Sequence, residues 1–352
     1  MKNKSRAFIL TEILTGMMLQ AGFIIVLCGA FYMTINFYTR TTKILAAREK
    51  GQRVISFLDE KVRHVGLGLW RCSSSNHLRS LMSQVTSLQN IENLPVSINK
   101  FDDITKDNWL STFGNRAKPE KYGDFIRGNI ITLLYAEKLN DKILMIDTKK
   151  RIPAALTTNN SDNDVKLLVK KNNDISDVFN SEFTSKYLNS WSVLPTAGVP
   201  LLLQKSTTAN RDFNISTDVD FSVMSIDIAS GAELLQLKCE RFFVENDDSK
   251  RETGRNFAYY TFKDTWERNP DKEEKNNYEP GILETYYELD TSNNILNFYV
   301  LASGGYDSSI NHEKPDSWPD TAYWSEDYNH HYIYVSRKSW RLYNIPKNFI
   351  WN

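Results

Sequence analysis

The first forty residues divide sharply between polar and apolar. Lys2, Lys4 and Arg6 come first, and the 32 residues Phe8–Thr39 then carry a single charge, Glu12. About 20 apolar residues cross a bilayer as a helix, and this run extends roughly 48 Å at 1.5 Å per residue. It is too long for a secretory signal core, and no A-x-A site follows it. Beyond Thr39 the pattern becomes a stripe. Ile44, Ala47, Gly51, Val54, Leu58, Val62, Val65 and Leu69 recur every three or four positions, with Arg48, Lys50, Arg53, Asp59, Glu60 and Lys61 on the other faces. The spacing predicts one helix over Phe8–Gly66, ended by Gly66 and Gly68, about 88 Å long. Its first half (8–39) is apolar all round and its second half (40–71) needs a partner surface.

Residues 72–352 read as a β-rich body. A short amphipathic helix is predicted over 76–92, with Asn76 as its cap. Strands are predicted at Asn129–Ala136 and Lys142–Ile146 (a hairpin around "EKLND"), Val165–Val169, Val199–Gln204, Val219–Ile228, Leu235–Val244 and Phe257–Phe262. A second hairpin pairs Ile282–Leu289 with Ile295–Ala302, and Tyr332–Val335 and Trp340–Tyr343 close the series. The polar stretches 245–256 and 263–281 read as loops. Local pairing makes the sheet antiparallel, and its apolar face needs the stripe Ile44–Leu69 as cover. The predicted fold class is α+β: a head on a long helical stalk.

Composition changes one part of this picture. The chain is formally neutral, yet residues 1–71 hold 11 Lys/Arg against 4 Asp/Glu, and the remainder is acidic by the same margin. A mildly acidic body argues against a nucleic-acid-binding surface. Lys2, Lys4 and Arg6 favour a cytoplasmic N-terminus, which puts the body on the far side of the membrane. There, Cys72 and Cys239 form the one possible disulfide within the body, or stay as two thiols; Cys28 lies in the apolar run.

Candidate chemistry is sparse. Asn160, Asp162 and Asp164 alternate as in a calcium loop, but Val165 and Lys171 stand where that loop needs Gly and Glu. His330 and His331 are adjacent, so on a strand they point to opposite faces and do not share a metal. His312–Glu313 lacks the second histidine of H-E-x-x-H, and there is no phosphate-binding glycine loop, G-x-S-x-G or C-x-x-C. No enzyme, cofactor or metal site is expected. The last 35 residues hold ten aromatics, read as strand core with a possible contact surface among them.

Glu12 remains unexplained by a simple anchor, because a carboxylate at membrane depth costs several kcal/mol unless paired or protonated. A cut before Phe8 would create an α-amino group four residues away, and a neighbouring copy's amine could neutralise the carboxylate. A basic leader (1–7), a small residue (Ala7), an aromatic first residue (Phe8) and a glutamate at Glu12 together resemble type IV filament proteins: pilins, minor pilins and the pseudopilins of type II secretion. Ala7 stands where glycine is usual, and "FILTE" replaces "FTLIE". Within that family the chain looks most like PilW-like minor pilins and J-type pseudopilins. The carrying stretches are "GQRVISFLDEKVRHVGLGL", "YGDFIRGNIITLLYA", "SWSVLPTAGVPLLLQKS" and "YIYVSRKSWRLYNI", the last three resembling an early strand, a middle hairpin and the last strand.

The resemblance implies cleavage at Ala7–Phe8 by a prepilin peptidase and N-methylation of Phe8. It further implies assembly through Glu12, with other pilin subunits and an inner-membrane assembly platform as partners. The location implied is the bacterial inner membrane, then a pilus or pseudopilus. The competing reading is a signal-anchored periplasmic binding protein or adhesin that never assembles.

Overall fold

A computed structural model describes residues 2–82, 91, 93–101, 128–137, 143–147, 153–154, 164–171, 174–177, 191–193, 195, 198–205, 213–216, 226–227, 232–233, 235–246, 255–261 and 274–351. Helix α1 (Lys2–Arg63) runs 62 residues without interruption, about 93 Å at 1.5 Å per residue. It starts before Phe8 and stops three residues short of Gly66. Turns follow, and Gly66 and Gly68 take φ of 74° and 76°, a left-handed conformation that other residues adopt only at a cost. Helix α2 (Ser75–Leu81) is shorter than its apolar pattern predicts, and 83–90 lie outside the described residues. Its cap is Ser74, not Asn76: the Ser74 side chain accepts the His77 N–H at 3.0 Å.

The strands are, in order, β1 (Val96–Phe101), β2 (Gly128–Glu137), β3 (Ile143–Asp147), β4 (Pro153–Ala154), β5 (Asp164–Lys171), β6 (Asp174–Asp177), β7 (Trp191–Val193), β8 (Pro200–Lys205) and β9 (Phe213–Ser216). They continue as β10 (Ile226–Asp227), β11 (Ala232–Glu233), β12 (Leu235–Asn246), β13 (Arg255–Thr261), β14 (Glu274–Pro280), β15 (Ile282–Asp290), β16 (Ile295–Tyr306) and β17 (His331–Arg341). Among the described residues, twelve form one sheet. Its path is β1-β2-β12-β7-β8-β9-β5-β3-β11, with β13 and β14 continuing beside β12 and β6 beside β5. β4 pairs with β10, and β15-β16-β17 form a separate three-stranded sheet. The described strand pairs are antiparallel, so α+β is the observed class.

Several pairings differ from expectation. β2 and β3 do not form a hairpin. β2 is buried from Asn129 to Ala136 and takes β1 and β12 as neighbours, whereas β3 pairs with β5 and β11. Residues 274–280, expected as loop, form β14 beside β13, and α1 supplies Arg53 and Phe57 as partners for its Glu279 and Tyr278. The two closing strands are one: Arg337–Ser339 are exposed but stay in register with β16, so polar side chains do not interrupt the ladder. The β15–β16 and β7–β8 hairpins form as expected.

The outer half of α1 lies against both sheets. Ala47, Gly51, Val54, Leu58, Val62 and Val65 are buried, as the stripe requires. Burying each large aliphatic stabilises by about 1.5–3 kcal/mol. Val54, Leu58, Val62 and Val65 together thus reach roughly the net stability of a whole domain. The helix is part of the head's core.

Candidate functional site

The site is α1 itself: an exposed apolar half and a half seated in the head. Ala7 and Phe8 lie in the first turns of the helix. Glu12 is exposed, and its backbone carbonyl accepts the Thr15 hydroxyl at 3.0 Å. From Ile13 to Tyr38 the large apolar side chains are exposed all round. The helix is long and apolar enough to cross a membrane.

The seat begins at Lys43. Its ammonium lies 4.5 Å over the Tyr332 ring, and its carbonyl oxygen touches Gly304, where a built Cβ would sit only 1.8 Å away. Further out, Lys50 Nζ donates to the Ser303 carbonyl at 2.9 Å. Desolvation by burial lowers the Lys50 pKa, and the nearby Glu279 charge opposes the shift. Arg53 donates two hydrogen bonds, both 2.9 Å, to the two carboxylate oxygens of Glu279 on β14, and this raises its pKa. Phe57 stacks on Tyr278 with centroids 4.0 Å apart. The Trp340 indole donates to Asp59 at 2.6 Å, and the Asn344 amide donates to the Arg63 and Val65 carbonyls at 2.8 and 3.2 Å, capping the helix end.

The most buried of the ion pairs that α1 makes with the head is that of Lys61, which donates to Glu240 at 2.7 Å and to the Tyr135 hydroxyl at 2.8 Å. Burial, then the Glu240 charge, raises the Tyr135 pKa. This cluster is not evident from the sequence; the only hint is a lysine flanking the apolar stripe. A second buried cluster was equally hidden. Arg255 donates to the Leu283 carbonyl at 2.9 Å and to Glu284 at 3.3 Å, and the Tyr328 hydroxyl lies 3.4 Å from the same carboxylate. Burial pushes the Glu284 carboxyl up to about 7. The cluster joins β13, β15 and the segment Asp307–His330, which packs Trp318, Ala322 and Tyr328 on Leu283, Tyr286 and Leu301.

The remaining sequence candidates separate. Cys72 and Cys239 are free thiols within the core, so the possible disulfide is not formed. Burial pushes each up to about 12. Cys28 is exposed on the apolar half. Asn160 and Asp162 lie outside the described residues, and Asp164 opens β5. His330 Nδ1 lies 2.6 Å from the Ile310 carbonyl and His331 Nδ1 lies 2.8 Å from the Ser303 hydroxyl, so each ring has its own partner. Among the described residues no cluster of three or more His, Cys, Asp or Glu could hold a metal. Of the ten late aromatics, Trp318, Tyr328, Tyr332, Trp340, Phe349 and Trp351 are buried, and Tyr343 stands out at 82% exposed. Comparison with protein-family models, curated proteins and solved structures returns no match for this chain.

Proposed function

We propose that this chain is a structural, non-enzymatic subunit of a type IV pilus or type II secretion pseudopilus, synthesised as a prepilin. What carries the reading is the division of α1. From Glu12 onward its apolar half leaves its side chains unburied, while its amphipathic half is built into a β head. A helix exposed all round in this way needs lipid or other helices around it. In this reading a prepilin peptidase cuts Ala7–Phe8 and methylates the Phe8 amine. The head lies outside the bacterial inner membrane, and the assembly platform hands the stalk to a bundle of other pilin helices. Glu12 meets the terminal amine of a neighbour there, which removes the cost of a bare carboxylate. A head of about 280 residues crowds its neighbours in a tightly wound filament, which favours the tip or initiation complex over the repeating shaft.

Mass spectrometry of the mature N-terminus tests the reading. Loss of residues 1–7 with one added methyl supports it. An intact Met1 or Lys2 overturns it in favour of a signal-anchored binding protein or adhesin.

A further inference from the structure

The unbroken run of exposed apolar side chains ends at Tyr38, with Leu45 the one large apolar side chain of α1 exposed beyond it; Arg40 is the next charge, and the head takes hold of the helix at Lys43. Tyr38 to Lys43 is about 7.5 Å of helix. The headgroup layer of one leaflet is about 5–7.5 Å thick, half the difference between the whole bilayer and its hydrocarbon core. The run is longer than the hydrocarbon core, which is about 30 Å thick, so its outer boundary is set by anchors: Tyr38 and Arg40 are residue types that favour the interface, and with them at that level the lowest part of the head falls among the headgroups. β16 runs down toward that level and β17 runs back up. Ser336 meets Gly51 and Trp340 meets Asp59, whereas Tyr332 and Gly304 meet Lys43. Two hydrogen bonds tie the turn at the bottom to β17 and the residue before it: the Asp307 N–H donates to the His330 carbonyl at 2.8 Å, and the Tyr332 hydroxyl donates to Asp307 at 2.9 Å. The helix is unbroken through this point, so no hinge lets the head swing away.

The chemistry of this underside suits a lipid interface. Tyr306 is 45% exposed, and Ser308 and Asn311 are exposed neutral hydrogen-bonding groups. The Ser309 hydroxyl is committed to Asp307 at 2.6 Å, and Asp307 has Lys43 as a nearby countercharge, so its carboxylate does not face phosphate alone. Exposed Arg40 supplies a cation at the same level. Tyrosine rings and basic side chains favour this zone of a bilayer.

We propose that the Tyr306–Asn311 turn is a phospholipid-headgroup contact, so that before assembly the head rests on the membrane that holds its stalk. The proposal depends on α1 spanning the bilayer. It adds to the pilin reading that extraction must also lift the head off the headgroups.

The test uses the full chain in vesicles of phosphatidylethanolamine and phosphatidylglycerol, in a Cys28→Ser background. A fluorophore is placed at Ser308→Cys or, as the distal control, at Tyr343→Cys, and lipid spin-labelled in the headgroup is the quencher. The Ser308 site is expected to be quenched several-fold more than the Tyr343 site. Seven helix-forming residues inserted between Thr39 and Arg40 raise the head by roughly 10 Å and are expected to abolish the difference. Equal quenching at the two sites in chains that co-float with vesicles overturns the contact alone, and failure to co-float overturns the spanning stalk along with it.

Discussion

Lys61 Nζ lies 2.7 Å from Glu240 Oε2, tying the stalk helix to a central strand of the head. Their side chains are only 15% and 5% exposed, so removing Lys61 takes the countercharge from a carboxylate held in the core. Lys61→Met is expected to cost about 3–5 kcal/mol, read by urea denaturation of the detergent-solubilised chain. Lys61→Met with Glu240→Leu should recover most of that loss, because no unpaired charge remains. A single-variant loss below about 1 kcal/mol would show that water still reaches Glu240.

Gly304 presses on the backbone of α1 at Lys43. Gly304→Ala puts a methyl group into the space of a carbonyl oxygen, and neither backbone can yield as a flexible side chain could. The expected loss is about 1–3 kcal/mol, seen as a lowered Tm. An unchanged Tm means that β16 can slide on the helix.

Two buried groups give opposite pH slopes. Glu284 is raised from 4.5 to about 7 by burial, so its contribution is full below 4.5 and is lost as pH rises to 7. His331 is lowered from 6.5 to about 4 by burial, so its contribution is full above 6.5 and is lost as pH falls to 4. Glu284→Gln should remove the loss between pH 4.5 and 7 and leave the His331 loss on acidification exposed. Denaturation midpoints from pH 4 to 8 read both, and identical profiles for the variant and the parent refute the assignment to Glu284.

Cys72 and Cys239 are buried with their thiols pushed up to about 12, so the native head should resist iodoacetamide at pH 8. Both thiols should react once urea unfolds it. Native modification of either, or a peptide containing Cys72 linked to Cys239, contradicts the buried-thiol arrangement.

Glu12→Ala should leave the chain in the membrane but remove it from sheared filaments, and the parent chain should be rare there relative to the most abundant subunit. Unchanged assembly of the variant excludes the pairing role of Glu12, and a near-equal ratio excludes the tip position.

The stalk was legible because a helix writes its burial into one sequence period. Ala47, Val54, Leu58, Val62 and Val65 fall where the stripe puts them. The sheet was less so. β2 was readable as a strand, but its partners β1 and β12 lie far away in sequence, and nothing in "EKLND" signals that the chain departs instead of turning back. β14 looks like loop because Arg53 and Phe57, on α1, are what make Glu279 and Tyr278 fit. The Arg255–Glu284–Tyr328 cluster draws on three distant segments, each of which alone looks like an ordinary polar surface.

A helix unbroken from Lys2 to Arg63 also acts as a drive shaft. A push or twist applied to its inner end reaches the head at Lys43 and again at Lys61 with no compliant joint between. Any displacement or rotation imposed on the inner half therefore changes the height and the rotational heading of the head by the same amount.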